Sequence, residues 1–334
     1  MRILGEAPSS VVDPATGLPR FGSYKGALPR VDLDAVTGGT LARIARRKRW
    51  IYVMIASDDL LVALAVVRLG YASNAFAHVF DRRTMRMRAA RSAIGLPLGC
   101  EVGDTGGEGA FARFRSGRTR ASIVRAASSS SYVIEASFRD FELRAVVESS
   151  GAPPPLTAIA SIPGGRVNTT EKRALMEATG ELTIDGQRFA LDDALAGTDY
   201  THGLLARHTA WRWAFLLGRA KSGERVGMNL VQGFVGEPEC AVWIDGEVHP
   251  VAEGRFAFDR KSPLDEWRIS TADGGVDLRF TPGGMHAERT NLGVVQTNFV
   301  QPAGVYSGRI RFDGGRELTL DRVLGVAEDQ DVMW

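Results

Sequence analysis

The chain has 334 residues, more than one hydrophobic core usually holds, so two packed units of about 150 residues each are expected. Its 41 basic residues nearly balance its 39 acidic residues, which gives no general reason to expect a nucleic acid or an anionic membrane as partner. The longest uninterrupted apolar run, residues 60–67, is far shorter than the roughly 20 residues that span a bilayer. We therefore predict a globular protein with no nucleic-acid partner and no integral membrane association.

The cysteines and the N-terminal segment bear on location. Cys100 and Cys240 are the only cysteines, and they lie outside any CxxC or Cys/His cluster. The first 30 residues contain no apolar segment typical of a secretory signal. These features predict a cytoplasmic protein in which both thiols are buried, reduced and not joined to each other.

The first 47 residues are predicted to be an N-terminal extension, with a helix candidate at residues 36–47. Strands are then predicted at residues 50–56, 60–68, 75–81 and 132–147, which are separated by short polar turns. Residues 151–155 (GAPPP) follow the last of these strands and are predicted to be a linker. A second helix candidate covers residues 169–178.

Asp-Gly pairs mark the turns of the second half. Asp-Gly between alternating apolar residues is the strongest short-range signal for a β-hairpin, and it occurs at residues 185–186, 245–246, 273–274 and 313–314. The flanking residues alternate with period two, which is typical of antiparallel strands. A weak internal repetition, in which Trp50 and Tyr52 correspond to Trp211 and Trp213, favours two units of one design.

Several segments together resemble one family, domain-of-unknown-function family 2804. They are residues 48–52 (KRWIY), 69–71 (LGY), 199–203 (DYTHG), 209–213 (TAWRW), 227–230 (GMNL) and 325–329 (GVAED) with Trp334. The block from 199 to 230 is also similar, more distantly, to double-lipocalin, calycin-like proteins that include carotenoid hydratase and tocopherol cyclase.

This resemblance and the strand pattern predict an all-β fold of two packed, lipocalin-like antiparallel β-barrel units with few short helices. The first barrel is expected at residues 48–150, and the linker and second barrel at residues 151–334. The resemblance also implies an apolar small molecule, such as a lipid, an isoprenoid or a polyketide, as ligand. No cofactor is predicted.

Titratable and aromatic residues are concentrated between Asp199 and Trp213. If the chain turns near Gly203, these side chains could gather at a barrel mouth. Because a carboxylate near a histidine can tune proton transfer near neutral pH, Asp199 and His202 are the predicted catalytic residues. Alternatively, Asp199 fixes a turn and His202 bonds the backbone.

Tyr200, Trp211 and Trp213 are predicted to bind the ligand. Trp211 and Trp213 share one strand face, which is expected to point into the cavity of the second unit because burial stabilises large aromatic side chains. In the alternative interpretation both tryptophans are ordinary core residues.

Asn229 and Glu239 flank a loop that could close over the cavity and orient a ligand. Equally, Asn229 could satisfy a β-bulge and Glu239 could pair with an arginine. No metal site is predicted, because His202 and His208 would lie roughly 20 Å apart on an extended strand.

Two functions fit these features. One is a cofactor-independent hydratase, isomerase or cyclase, and the other is a non-catalytic carrier or sensor of a lipid-like ligand. If Asp199 and His202 face one enclosed cavity with shifted pKa values, the enzyme is favoured; if both lie on the outer surface, the carrier is favoured.

Overall fold

The computed structural model describes residues 3–28, 30–291 and 296–334. It contains two near-barrel, largely antiparallel sheets, one nearly closed and the other half a barrel. The described ranges include two α-helices, α1 (Asp34–Thr37) and α2 (Thr40–Arg46), and three short 3-10 segments, Pro97–Gly99, Glu237–Glu239 and Asp313–Gly315. The predicted all-β fold with few short helices is therefore confirmed. None of the helices described is long and apolar enough to cross a bilayer.

The first sheet has 15 strands. They are β1 (Gly5–Glu6), β2 (Gly22–Lys25), β3 (Arg47–Ala56), β4 (Leu60–Arg68), β5 (Ser73–Asp81), β6 (Arg86–Gly95), β7 (Cys100–Val102), β8 (Phe111–Ser116), β9 (Thr119–Val124), β10 (Ser131–Phe138), β11 (Phe141–Glu148), β12 (Leu156–Ala160), β13 (Val167–Ile184), β14 (Gln187–Ala190) and β15 (Ala194–Leu204). Hydrogen bonding joins them in the order β6-β5-β4-β3-β15-β13-β11-β10-β9-β8-β7, with β1, β2, β12 and β14 attached at the side.

The second sheet has nine strands in the order β19-β18-β17-β16-β24-β23-β22-β21-β20. They are β16 (His208–Arg219), β17 (Arg225–Gly233), β18 (Ala241–Ile244), β19 (Glu247–Pro250), β20 (Gly254–Ala257), β21 (Trp267–Thr271), β22 (Val276–Asn291), β23 (Gln296–Phe312) and β24 (Arg316–Met333). Each of the four Asp-Gly pairs separates two strands that pair with each other, as predicted.

The chain passes from the first sheet to the second between Leu204 and His208. The predicted linker at residues 151–155 instead joins β11 to β12, and both strands belong to the first sheet. The change of sheet therefore does not coincide with the predicted boundary at residue 150. Prolines lack the N–H that a sheet ladder needs, so the segment interrupts pairing and forms a loop without separating two units.

The helix candidate at residues 169–178 is wrong, because these residues lie within β13. β13 pairs with β12 and β11 on one side and with β15 on the other, and residues 167–176 are buried throughout. Tertiary pairing thus overrides the helix propensity of the local sequence. The candidate at residues 36–47 contains α2, but β3 already begins at Arg47.

Three hydrophobic cores result from this arrangement, one inside each sheet and one between the sheets. Strands at the contact bury both faces: in β3, Ile51 and Val53 point into the first sheet, whereas Tyr52 and Met54 pack against the second. The apolar run at residues 60–67 arises because both faces of β4 are also buried, and alternate residues of this strand belong to different cores.

Gly197 of β15 allows the two sheets to approach closely. A Cβ at this position would overlap the ring of Phe215 and the carbonyl oxygen of Arg173. We expect Gly197→Ala to lower the free energy of unfolding by about 1 to 3 kcal/mol, measured by urea denaturation. Gly39→Ala is the control, because a Cβ there meets no atom within 4 Å. Equal effects of the two substitutions would contradict this account of the sheet contact.

Cys100 and Cys240 are free, buried and located in different cores. Burial raises the pKa of the Cys100 thiol to about 11 and that of the Cys240 thiol to about 12. We expect neither thiol to react with an aromatic disulfide reagent at pH 8 in the folded protein, because the thiolate is the reactive form. Two thiols should react after denaturation without reductant, and a smaller number would refute the prediction.

Candidate functional site

A cavity of about 380 Å³ lies between the two sheets. Most of its wall is apolar, and the aromatic members come from both sheets: Trp50, Tyr52, Tyr71, Phe76, Trp211, Trp213, Phe234, Phe299 and Trp334. Trp50 stacks on Trp211 across the sheet contact with ring centroids 6.2 Å apart, and Tyr52 meets Trp213 edge-on at 5.2 Å. The volume and the apolar wall are typical of a site for a small molecule.

Trp211 and Trp213 both line this cavity, but the cavity is not inside the second unit as predicted. Their face of β16 points toward the first sheet, whereas Ala214 and Leu216 on the opposite face fill the interior of the second sheet. Period-two alternation shows that Trp211 and Trp213 share one face of the strand. Because both faces of β16 are buried, the alternation does not show which of them faces the cavity.

Three charged residues that line the cavity, Lys172, Asp199 and Glu239, form an ion cluster. Lys172 Nζ lies 2.6 Å from Asp199 Oδ2 and 3.1 Å from Glu239 Oε2. Lys172 and Asp199 are direct partners in the β13–β15 ladder, which places both side chains on the same sheet face. Burial alone would lower the pKa of Lys172, but the two carboxylates outweigh it and raise that pKa. Burial raises the pKa of Glu239, and Lys172 partly offsets this effect.

Asn229 supports the cavity wall from behind and does not itself line the cavity. Trp213 Nε1 donates a hydrogen bond of 2.7 Å to Asn229 Oδ1, and Asn229 Nδ2 donates one of 2.6 Å to the carbonyl oxygen of Glu239. Asn229 therefore fixes the plane of the Trp213 ring. The cationic partner of Glu239 is Lys172 and not an arginine, the partner that one interpretation of the sequence predicted.

Glu328 of β24 is a cavity residue that the sequence analysis missed. Its Oε1 accepts a hydrogen bond of 2.6 Å from Trp211 Nε1, and its Oε2 accepts one of 2.6 Å from Gln301 Nε2. Burial raises the pKa of Glu328 to about 7, although the two hydrogen bonds oppose the shift. This carboxyl can therefore exchange a proton near neutral pH.

His78 lies behind Gln301 and fixes its orientation. Because the Gln301 amide nitrogen donates to Glu328, its Oε1 is left to accept a hydrogen bond of 2.7 Å from His78 Nε2. Burial and the nearby His286 lower the pKa of His78 to about 3, so its ring is neutral. Neutral His78 thereby holds the amide that positions the Glu328 carboxyl.

Glu288 supplies a further carboxylate at the cavity wall. Asn74 Nδ2 lies 3.3 Å and 3.2 Å from its two oxygens, and His286 Nε2 lies 3.2 Å from Oε1. Burial opposes ionisation of Glu288, but the hydrogen bond and charge of His286 together with Asn74 outweigh it and lower the pKa.

The predicted pair of Asp199 and His202 is not formed. β15 is extended from Ala194 to Leu204, with no turn at Gly203, so residues three apart point to opposite faces. Asp199 lines the cavity, whereas His202 lies in the interior of the first sheet, where its Nε2 accepts a hydrogen bond of 3.2 Å from Arg49 Nε. Burial and the adjacent arginine hold the pKa of His202 well below its usual value.

Tyr200 also faces the interior of the first sheet. Its hydroxyl donates a hydrogen bond of 3.2 Å to the carbonyl oxygen of Gly103, and it does not reach the cavity. His208 is exposed and lies 2.8 Å from Asp331 Oδ1. Of the residues predicted for the site, Asp199, Trp211, Trp213 and Glu239 are the ones that the structure brings together at the cavity.

The two packed, largely antiparallel near-barrel sheets define an all-β protein with a cavity between its sheets. The chain belongs to the family described as domain of unknown function DUF2804, whose model matches residues 5–334. No curated protein matches the sequence significantly.

Solved structures with the same fold differ widely in sequence. A structure of CghA is 13% identical and has a TM-score of 0.55, with 98% of this chain and 97% of CghA covered. A protein of Nitrosomonas europaea assigned to AttH is 13% identical, with a TM-score of 0.51 and coverage of 85% and 92%. Kievitone hydratase of Nectria haematococca is 11% identical, with a TM-score of 0.50 and coverage of 94% and 98%. These likenesses show a shared fold.

The raised pKa of Glu328 predicts a pH-dependent stability. Between about pH 4.5, the ordinary value of glutamate, and about pH 7, the folded protein retains a proton that the unfolded chain has released. The free energy of unfolding should therefore fall as the pH rises through this window, by about 3 kcal/mol from this group. Urea denaturation at pH 5 and pH 8 should show a smaller fall in Glu328→Gln than in the wild type. Parallel profiles would contradict the assignment.

Proposed function

We propose that the protein is an enzyme that transfers protons to and from an apolar small molecule held in the cavity between the sheets. Hydration, isomerisation or cyclisation of an alkene would each use such a transfer. The observation that supports this proposal most directly is Glu328, a carboxyl with a pKa of about 7 in an aromatic wall. An acid with this pKa is half protonated at neutral pH, and general acid catalysis of this kind contributes about 10²- to 10⁴-fold to a rate.

The surrounding residues suit a reaction with a developing positive charge. Trp211 and Gln301 orient the Glu328 carboxyl, which would donate the proton to the substrate. The faces of Trp211 and Trp213 would stabilise a carbocation through their electron density. Asp199, paired with Lys172, would accept a proton from a hydroxyl group or a water molecule. The proposed chemistry thus uses carboxyl groups of the protein and no cofactor.

The charges of the cavity restrict the ligand. Four carboxyl groups line it, those of Asp199, Glu239, Glu288 and Glu328, against the single ammonium group of Lys172 among the described wall residues. An anionic ligand would be repelled and would lose its hydration without gaining a cationic partner. We therefore propose a neutral, largely apolar ligand with hydroxyl or carbonyl groups. The reaction in the name of kievitone hydratase and the complex of CghA with Sch210972 agree with this class of function.

We also propose that the protein is cytoplasmic. The two free, buried cysteines agree with the predicted cytoplasmic location, where thiols stay reduced.

Exchange of deuterium into a co-purifying ligand tests the proposed reaction. Protein purified from its own host would first be analysed by native mass spectrometry. It would then be incubated in D₂O, and the mass of the extracted ligand would be measured. The wild type should incorporate deuterium at carbon, whereas Glu328→Gln should retain the ligand and exchange at least about 100-fold more slowly. A wild-type protein that holds a ligand without any exchange would instead be a carrier or sensor.

Binding of a neutral fluorescent probe tests the cavity separately. We expect Trp211→Ala to weaken binding of Nile red about tenfold or more, because Trp211 forms wall area and stacks on Trp50. Phe21→Ala is a control at an exposed aromatic residue that does not line the cavity. Unchanged binding in the folded Trp211→Ala protein would show that the probe, and with it the ligand, binds elsewhere.

A further inference from the structure

Many of the exposed apolar side chains lie on three segments in or beside the first sheet. They are α2 with Leu41 and Ile44, the turn at residues 69–72 with Tyr71, and residues 94–98 with Ile94, Leu96 and Leu98. Leu98 is 98% exposed, Leu41 83% and Leu96 74%. We call these three segments the apolar rim. Contiguous exposed apolar surface of this kind marks an interaction site.

The three segments adjoin one another. A Cβ at Gly70 would overlap the carbonyl oxygen of Ile44, so the turn at residues 69–72 rests on the end of α2. Lys48 Nζ joins the same two segments, with hydrogen bonds of 2.8 Å to the carbonyl oxygen of Ala45 and 3.4 Å to that of Leu69. On the other side of the turn, Ser73 Oγ donates a hydrogen bond of 3.0 Å to the carbonyl oxygen of Leu96.

The apolar rim is continuous with the opening of the cavity. Leu69, Tyr71 and Ile94 line the cavity, and Ile94 is also 69% exposed. A side chain that both lines a cavity and faces solvent lies where the cavity opens. The opening is therefore bordered by leucine, isoleucine and tyrosine side chains.

The charge of the apolar rim has one sign. Within the apolar rim the charged residues are Arg43 and Arg46 of α2, and the rim contains no acidic residue. Asp34 pairs with Arg47 and lies 4.0 Å from Arg43, but Arg43 remains about half exposed. The near-zero net charge of the whole chain thus conceals a local patch in which apolar and cationic groups are combined.

We propose that the apolar rim docks on a lipid surface that carries anionic headgroups, with the cavity opening toward the bilayer. Leucine and isoleucine side chains would enter the outer acyl region, and Arg43 and Arg46 of α2 would contact the headgroups. An apolar ligand could then pass between the bilayer and the cavity without crossing water.

Sedimentation with lipid vesicles tests the docking surface, and it needs neither ligand nor turnover. The wild type should bind vesicles of phosphatidylcholine with added phosphatidylserine more tightly than vesicles of phosphatidylcholine alone, and added salt should weaken this binding. The double variant Leu96→Ser, Leu98→Ser should lower the partition coefficient about tenfold or more. Both side chains are exposed, and a thermal melt checks that the fold is retained.

The control variant is Leu264→Ser, which removes a 48% exposed leucine outside the apolar rim and should bind as the wild type does. Arg43→Glu should weaken binding to the anionic vesicles and leave binding to the neutral ones nearly unchanged. Absence of binding to either vesicle, or equal binding by the rim variant and the wild type, would overturn the proposal. A wild-type dimer that the rim variant loses would assign the surface to a second copy of the chain instead.

Discussion

The face-to-face contact of the two sheets is the constraint on which the rest of the structure depends. Strands such as β3 and β15 have no solvated face, so every polar group between the sheets must find a partner there. Lys172 is paired with Asp199 and Glu239 for this reason. Removing Lys172 would leave two buried carboxyl groups without their cation, which costs more than the ion pairs contribute to stability.

Burial between the sheets also raises the pKa of the Glu328 carboxyl in the cavity wall. The hydrogen-bond partners of Glu328 are the indole of Trp211 and the amide of Gln301, and neither is a cationic side chain. Neutral dipoles of this kind stabilise a carboxylate less than a neighbouring ammonium group would. Its proton is therefore held more tightly than that of a solvated glutamate. Asp199 and Glu328, two carboxyls of one cavity, thus differ in partner: an ammonium group pairs with the first, and an indole and an amide bond the second.

The sequence predicted what depends on local chemistry and missed what depends on distant contacts. Asp-Gly turns and alternating residues located the hairpins, and alternation placed Trp211 and Trp213 on one face. The same rule, applied within an uninterrupted strand, would have separated Asp199 from His202. The sequence did not indicate Lys172 as a cavity residue, because helix-forming residues in its segment predicted a helix where β13 lies. Glu328 lies 117 residues from Trp211 and Gln301 lies 223 residues from His78, so no local pattern could show that these side chains meet.

The cavity has walls from both sheets, so a bound molecule touches both at once. Its binding free energy is therefore added to the stability of the whole chain and not to that of one sheet, by the usual linkage between ligand binding and folding. Separation of the sheets would abolish the site before either sheet unfolds. A ligand bound there would act as a cross-link between the two sheets, and its dissociation would remove that link.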